Sequence, residues 1–408
     1  MRRLTVVLFF VLPFFLAAAA TQSQQQFTEA PTGFDDQTNG AVDQATFTTA
    51  ENVFVEVEQI SPDGLGPVYN AQSCRECHQN VVTGGPSQVS ELRAGHQDSK
   101  GNFVGATLTM RDGSTLGPRS LINQRAICSD AQGYVPEAEN IRAARMSVSI
   151  LGDGFVEAVP DDELKDISAK QAQETNGRIH GEWVEVPVLE GGTMAVGRFG
   201  WKDQHASLLS FSGDAYVNEM GITNKLFSSE ATTLCNPPGM VEPNDQNGDI
   251  DNFAKFMRAT KAPPRDQALA SSPDGVAGAA VFANIGCTSC HVANLTTAPP
   301  GTTLNGSTYT LPDALGNKVF HPYGDYLLHD IGTGDGIVQA GGQGTSQKIR
   351  TVPLWGTRIR PQKMHDGASL TFEGAIQRHR GEAEETSERF RFLTPQQKNQ
   401  LLTFLRSL

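Results

Sequence analysis

Two pentapeptides constrain this chain more than any other feature: Cys-Arg-Glu-Cys-His at 74–78 and Cys-Thr-Ser-Cys-His at 287–291. Together they use four of the six cysteines. Two thiols three positions apart suit the two vinyl groups of one haem, and the following His stands where it can bind the iron from the proximal side. Cys74, Cys77 and His78 therefore read as one covalent haem c site, and Cys287, Cys290 and His291 as a second. Zinc is the rival, but paired CxxC zinc motifs usually lie ~15–20 residues apart, whereas these two are separated by about half the chain. A thioredoxin-like redox pair would not need the trailing His.

Haem c is attached outside the cytoplasm, and the N-terminus agrees with export. Arg2 and Arg3 precede an apolar run, Leu4 to Leu16, and the small residues Ala17 to Ala20 suit a signal peptidase. An uncleaved membrane anchor is the alternative. Residues 1–20 are thus expected to be a signal peptide for a periplasmic or otherwise exported protein, with no transmembrane segment left after cleavage. The formal net charge is −13, which makes nucleic acid a poor partner and leaves a basic partner open. The two remaining cysteines, Cys128 and Cys235, are expected to pair. Two free buried thiols are the alternative.

Residues 21–55 are rich in Gln, Thr, Ala and Asp and read as a flexible arm. An N-terminal haem c domain is expected over 56–262, and a C-terminal cytochrome c domain over 263–408, with "KAPPRD" at 261–266 between them. The second has a clear frame. A helix from Asp274 runs into Cys287, with Gly278 and Phe282 on one face. At the C-terminus Thr394, Pro395 and Gln397 form a capping box, and Leu401, Phe404, Leu405 and Leu408 follow helical spacing. The stretch 180–200 reads as short strands about Gly191-Gly192. The expected fold is mainly α: two cytochrome c-like haem domains with long loops and a small β element.

The sixth ligands decide whether such a protein carries electrons or does chemistry. In a helix over 371–379, Phe372, Ala375, Ile376 and His379 share a face, which turns His379 toward the second haem pocket. Met364 competes for that iron. His365 is expected to bond a haem propionate or the backbone. His96 is nearest the first motif and is a candidate distal ligand there, against a reading as a solvated loop residue. Asp245, Asn247, Asp249 and Asp251 alternate like part of a calcium loop, but Ile250 replaces the turn glycine and no Glu follows at the twelfth position.

Several stretches occur in order: "ILGDGFVEAVPDDEL" (150–164), "GRFGWKDQHASLL" (197–209), "EMGITNKLF" (219–227), "YLLHDIGTG" (326–334), "RTVPLWG" (350–356), "MHDGASLTFEGAI" (364–376) and "HRGEA" (379–383). With both CxxCH sites the chain resembles the dihaem oxidoreductase family catalogued with peroxidases. That family is related to bacterial dihaem cytochrome c peroxidases and to the dihaem enzyme that matures the tryptophan-derived cofactor of methylamine dehydrogenase. The resemblance covers roughly residues 60–408.

It implies a reactive haem at His78 and a relay haem at His291. It places the relay's distal ligand fourteen residues beyond the His of the HDG motif, at His379, where the peroxidases have Met. Histidine on both sides would lower that potential relative to His/Met. A peroxidatic site also needs an acid/base, for which Glu157 is the candidate, against an ordinary surface Glu. By the same analogy Trp201 is expected between the haems and calcium between the domains. Arg198 and Lys202 are candidates for the propionates, or plain surface charges. The expected protein is an exported dihaem c-type oxidoreductase of peroxidase type. It would take electrons from a small soluble redox protein and deliver them to peroxide or another oxidant. A pure electron-transfer cytochrome and a haem oxidase of an organic or protein substrate are the alternatives.

Overall fold

The computed structural model describes residues 26–408. The expected signal peptide lies outside these residues. Ten α-helices are described: α1 Gln44–Val55, α2 Asp153–Glu157, α3 Asp161–Glu174, α4 Leu208–Met220, α5 Asp249–Ala259, α6 Gln267–Ser271, α7 Pro273–Asn284, α8 Phe372–Gln377, α9 Glu384–Arg391 and α10 Pro395–Ser407. None is long and apolar enough to cross a membrane.

The expectation of a mainly α fold is overturned: the chain is 31% helical and 17% strand, with several sheets. Most of the difference lies between the first CxxCH and α2. There β1 Ser90–Gln97, β2 Phe103–Met110, β3 Thr115–Arg119, β4 Leu121–Ile122, β5 Gly133–Tyr134 and β6 Ile141–Met146 form a six-stranded sheet. The order is β3-β2-β1-β4, with β5 on β2 and β6 on β1. β1 and β6 are antiparallel, Ser90 opposite Met146 through Gly95 opposite Ile141. Short turns at Lys100-Gly101 and Asp112-Gly113 join β1 to β2 and β2 to β3, and both glycines have positive φ. Ala94, Ala106, Leu108, Met110, Leu116 and Ile122 pack as its own small core. Cys128 packs against that core and is joined to Cys235 across a separation of 107 residues. A bridge closing so long a loop is worth a few kcal/mol in the chain-entropy account.

The expected arm is also corrected from Thr28 onward. Asp43 caps α1 by accepting from Thr46 N, and Phe47, Ala50 and Phe54 are buried against α5. Composition missed this because three buried residues at helical spacing suffice to anchor a polar helix. One hydrophobic cluster then runs from Phe47 and Phe155 through Phe256 to Leu295, Phe320 and Trp355. It therefore crosses the Pro-rich segment at 261–266, so both halves of the chain share one core.

The two helices expected around the second motif are present. The capping box of α10 forms as read, and α10 crosses α7 where the Phe282 and Phe404 rings meet at a tilt, 5.1 Å apart. Gly278 makes that crossing possible, since a Cβ there would lie 2.0 Å from the Gln400 carbonyl oxygen. Gly278→Ala is expected to cost about 1–3 kcal/mol, read as a lowered midpoint in chemical denaturation of the holoprotein. The short strands about Gly191-Gly192 form as well: β7 Glu185–Val188 pairs with β8 Thr193–Val196.

Candidate active site

The first motif sits on a 3-10 turn, Cys74–Glu76, and opens on a cavity of about 520 Å³. His78 is in its wall, and burial pushes its imidazole down to about 4. It is therefore neutral and competent to bind a metal. Part of the lining is apolar, with Phe54 from α1, Ile150, and Phe253 and Met257 from α5. Part is charged, with Glu91 and Arg93 from β1, Arg119 from β3, and Asp214 and Glu219 from α4. Two guanidiniums have donors to spare. Arg145 bonds Asp335 at 2.7 Å but leaves its Nη2 without a partner, and Arg119 Nε donates to the Leu121 carbonyl at 2.9 Å.

His96 is not in this wall. It sits on β1 opposite Val104, with Nδ1 2.6 Å from Glu139 Oε2. The strand explains the miss: Glu91 and Arg93 reach the cavity near its start, while His96 lies farther along. The histidine in the lining besides His78 is His205, whose Nε2 faces Asp214 Oδ2 at 3.1 Å.

The second motif follows α7 and opens on a cavity of about 190 Å³. His291 Nδ1 bonds the Tyr323 carbonyl at 3.0 Å, and His379 Nδ1 bonds the Ala375 carbonyl at 2.9 Å. A carbonyl accepts from N–H, so both rings carry the proton on Nδ1 and leave Nε2 free as a ligand. Burial holds both imidazoles neutral, and His379 adds to the depression of His291. Met364 also lines this cavity, at a φ of 68°. The lining further holds Arg350, Arg360 and Lys363 and, among the described residues, no carboxylate. Burial pushes Arg360 down to about 10 and Lys363 to about 8. Arg360 Nε and His365 Nδ1 have no partner, while His365 Nε2 faces the Thr333 carbonyl at 2.6 Å. Arg350 is paired with Asp203, but Arg360 and Lys363, which have no ion pair among the described residues, beside two free imidazole nitrogens fit a dicarboxylate metal macrocycle, as haem is.

Trp201 lies in the walls of both cavities, as does Arg350. Its Nε1 donates to the Met146 carbonyl at 2.8 Å, His365 meets it edge-on at 6.0 Å and Arg360 lies 5.7 Å from its ring. Three other candidates are placed elsewhere. Glu157 lines neither cavity: it is locked to Arg258 at 2.6 and 2.8 Å and accepts from Leu208 N and Asn305 Nδ2. Arg258 holds its carboxyl below the usual range against the effect of burial, so it is no proton donor near neutral pH. Arg198 is spent on Asp161 and on the carbonyls of Val159 and Val196. Lys202 is spent on the carbonyls of Thr345, Ser346 and Lys348 and on Asp335. The sequence left each of the three between a site role and a surface charge; all three are buried, and burial serves folding as readily as chemistry.

The acidic loop is a helix cap. Asp245 accepts from Asp249 N and Ile250 N at the start of α5, and Asp251 pairs with Lys225. Its carboxylates do not converge as a calcium site requires. Behind the second motif, His329 is buried between Asp325 and Glu382, at 2.9 and 2.8 Å, with Cys290 Sγ 3.8 Å away.

Residues 128–408 match the model of a family described as "Di-haem oxidoreductase, putative peroxidase". No curated protein matches the chain. Among solved structures, hydrazine synthase of Kuenenia stuttgartiensis, pressurised with xenon, aligns over 100% of both chains at 11% identity and a TM-score of 0.42. A MauG-like protein associated with microbial copper homeostasis aligns over 94% of this chain and 92% of its own, at 14% identity and a TM-score of 0.40.

Proposed function

The chain belongs to the di-haem oxidoreductase family, and from that premise we propose that it is an exported, c-type dihaem enzyme of peroxidase type. In this reading electrons enter at the second site from a small soluble redox protein and are used at the first, where peroxide is reduced. Haem bound at the two sites supplies the redox chemistry.

The observation that carries the proposal is the asymmetry of two cavities that share Trp201. The second is small, and its two imidazoles have free Nε2 atoms that would both be able to hold the iron of a relay haem. The first is larger, its other histidine faces Asp214, and it offers charged groups to a reactant. The chain's own residues then divide the work. Cys74, Cys77, Cys287 and Cys290 would anchor the haems, and His78 and His291 would bind their irons. His379 closes the relay. Arg360, Lys363 and the free Nδ1 of His365 hold carboxylates at the second site, and Arg119 and Arg145 do so at the first. Trp201 offers an indole between them as a path for electrons.

The test is low-temperature EPR of the holoprotein, oxidised and half-reduced, with hydrogen peroxide turnover measured beside it. A high-spin ferric signal in either state, with turnover, is the expected result. Low-spin signals only, with no turnover and no cyanide binding, would sink the reading in favour of an electron carrier. His96→Ala is expected to leave both spectra unchanged, because His96 stands outside the cavity.

A further inference from the structure

We propose that Tyr216 is a redox-active tyrosine of the first site: it supplies one of the two electrons that peroxide takes and passes its proton to Glu58. This rests on the peroxidase reading and names where the second oxidising equivalent is held. Among the described residues Tyr216 is the only tyrosine in the wall of the first cavity, and it is 2% exposed. A line of rings leads to it from the motif. Phe54 from α1 lies 6.4 Å from His78, Phe253 from α5 meets Phe54 edge-on at 6.0 Å, and Tyr216 from α4 meets Phe253 edge-on at 5.0 Å. Three helices thus connect the phenol to the imidazole through continuous aromatic packing.

The phenol is also paired with a base. Its hydroxyl donates to Glu58 Oε1 at 2.8 Å, with Asp249 Oδ2 farther off at 3.3 Å. The nearer contact is within reach of direct proton transfer. A phenol that loses an electron becomes a strong acid, and a buried charge is costly without a partner. A tyrosine in an apolar wall is therefore oxidised readily only where a base waits for its proton. Glu58 follows α1, is 3% exposed and is fixed to the segment before Cys74. Its N–H donates to the Gln72 carbonyl at 2.7 Å, and Gln72 Nε2 donates back to the Glu58 carbonyl at 3.2 Å. Burial pushes the Glu58 carboxyl up to about 7, and the charges of Asp249, Asp63 and Glu56 add to the rise. It is thereby a better base than an ordinary carboxylate. Trp201 in the same wall has no such partner: its N–H meets the Met146 carbonyl, which is too weak a base to take the proton. Glu58 precedes residue 128, where the family match begins, so the base comes from a segment outside that match.

The balance closes. Peroxide takes two electrons, whereas a relay delivers one at a time. One comes from the reduced second site and the other from Tyr216. The phenol O–H bond breaks, its electron goes to the first site and its proton to Glu58 Oε1. The O–O bond breaks, and with two protons from solvent both oxygens leave as water. The second site, reduced again by its one-electron donor, returns an electron to the phenoxyl radical, and Glu58 returns the proton. The donor has then given two electrons and the solvent two protons.

Half-reduced holoprotein is mixed with hydrogen peroxide and freeze-quenched for EPR, once with ordinary and once with ring-deuterated tyrosine incorporated. The expected result is an organic radical whose signal narrows with the deuterated ring. It is lost in Tyr216→Phe, which keeps the ring that Phe253 packs against and the resting haem spectra. Glu58→Gln, which cannot take the proton, is expected to slow the radical's appearance roughly a hundredfold. If Y216F does not retain haem, the narrowing in the wild type and the slowing in E58Q carry the test. Peroxide consumed with no radical, a radical that does not narrow or that survives in Y216F, or one formed at the wild-type rate in E58Q overturns the inference and leaves the peroxidase reading standing. Protein that neither consumes peroxide nor changes its haem spectra overturns both.

Discussion

Replacing His379 with Ala is expected to turn the second site from low spin to high spin and to lower peroxide turnover with an external donor by roughly a hundredfold. The ring is prepared as a ligand. Its Nδ1 proton is engaged by the Ala375 carbonyl, it is buried and neutral, and it shares a cavity with His291. The helix that precedes it, α8, is short and firmly started, with Thr371 accepting from Gly374 N, and ends at Gln377, two residues before the ring. Met364→Ala is expected to leave the low-spin signal intact. If M364A opens the site and H379A does not, the methionine is the ligand and the relay is His/Met. His379→Met should raise the relay's potential, because thioether ligation favours the ferrous state more than imidazole does. Spectra and potentials read at the second site separate this role from a structural one.

Glu157→Ala is expected to destabilise the fold by about 3–5 kcal/mol, since it leaves the Arg258 guanidinium buried without its counter-charge. Glu157 is 4% exposed and joins α2 to α5, to the start of α4 and to Asn305. Arg258 also lies 4.0 Å from the Tyr309 ring, so the loss propagates into packing. The pH dependence follows from the same pair. The folded-state carboxyl lies below the ordinary value of 4.5, so its contribution is fully present above that value and is lost as pH falls through the lower folded pKa. The chemical denaturation midpoint of the variant should therefore fall less as pH is lowered than that of the wild type. Protein that survives the substitution should keep most of its peroxide turnover. A selective loss of turnover at unchanged stability would return Glu157 to the reaction.

These two residues show what a sequence carries and what it does not. His379 was chosen by helical spacing with Phe372, Ala375 and Ile376; all four line the second cavity, although the expected helix over 371–379 stops at Gln377. Glu157 was chosen by its apolar neighbourhood, and that signal was genuine, since the residue is buried. What it could not carry was the partner, because Arg258 lies 101 residues away in the chain. Arg198 and Lys202 fail for the same reason. Trp201 was placed by analogy, and it lines both cavities.

The six-stranded sheet was missed for another reason. Its strands alternate weakly: β1 reads exposed, partly buried and buried without strict period, and two of the others are only two residues long. Such strands are held by pairing with distant neighbours more than by their own pattern. Glu91 and Arg93 went unnoticed with them.

The sequence by itself determined what is local: two CxxCH motifs, the helices that flank the second, their caps, and the glycine that lets them cross. Covalent spacing and helical period are properties of a few consecutive residues, so they can be read directly. Only the tertiary structure decided which charges face a cavity and which neutralise one another. A buried charge is defined by its partner, and at Glu157 and Arg360 the partner, or the lack of one, is set by chain segments brought together by the fold.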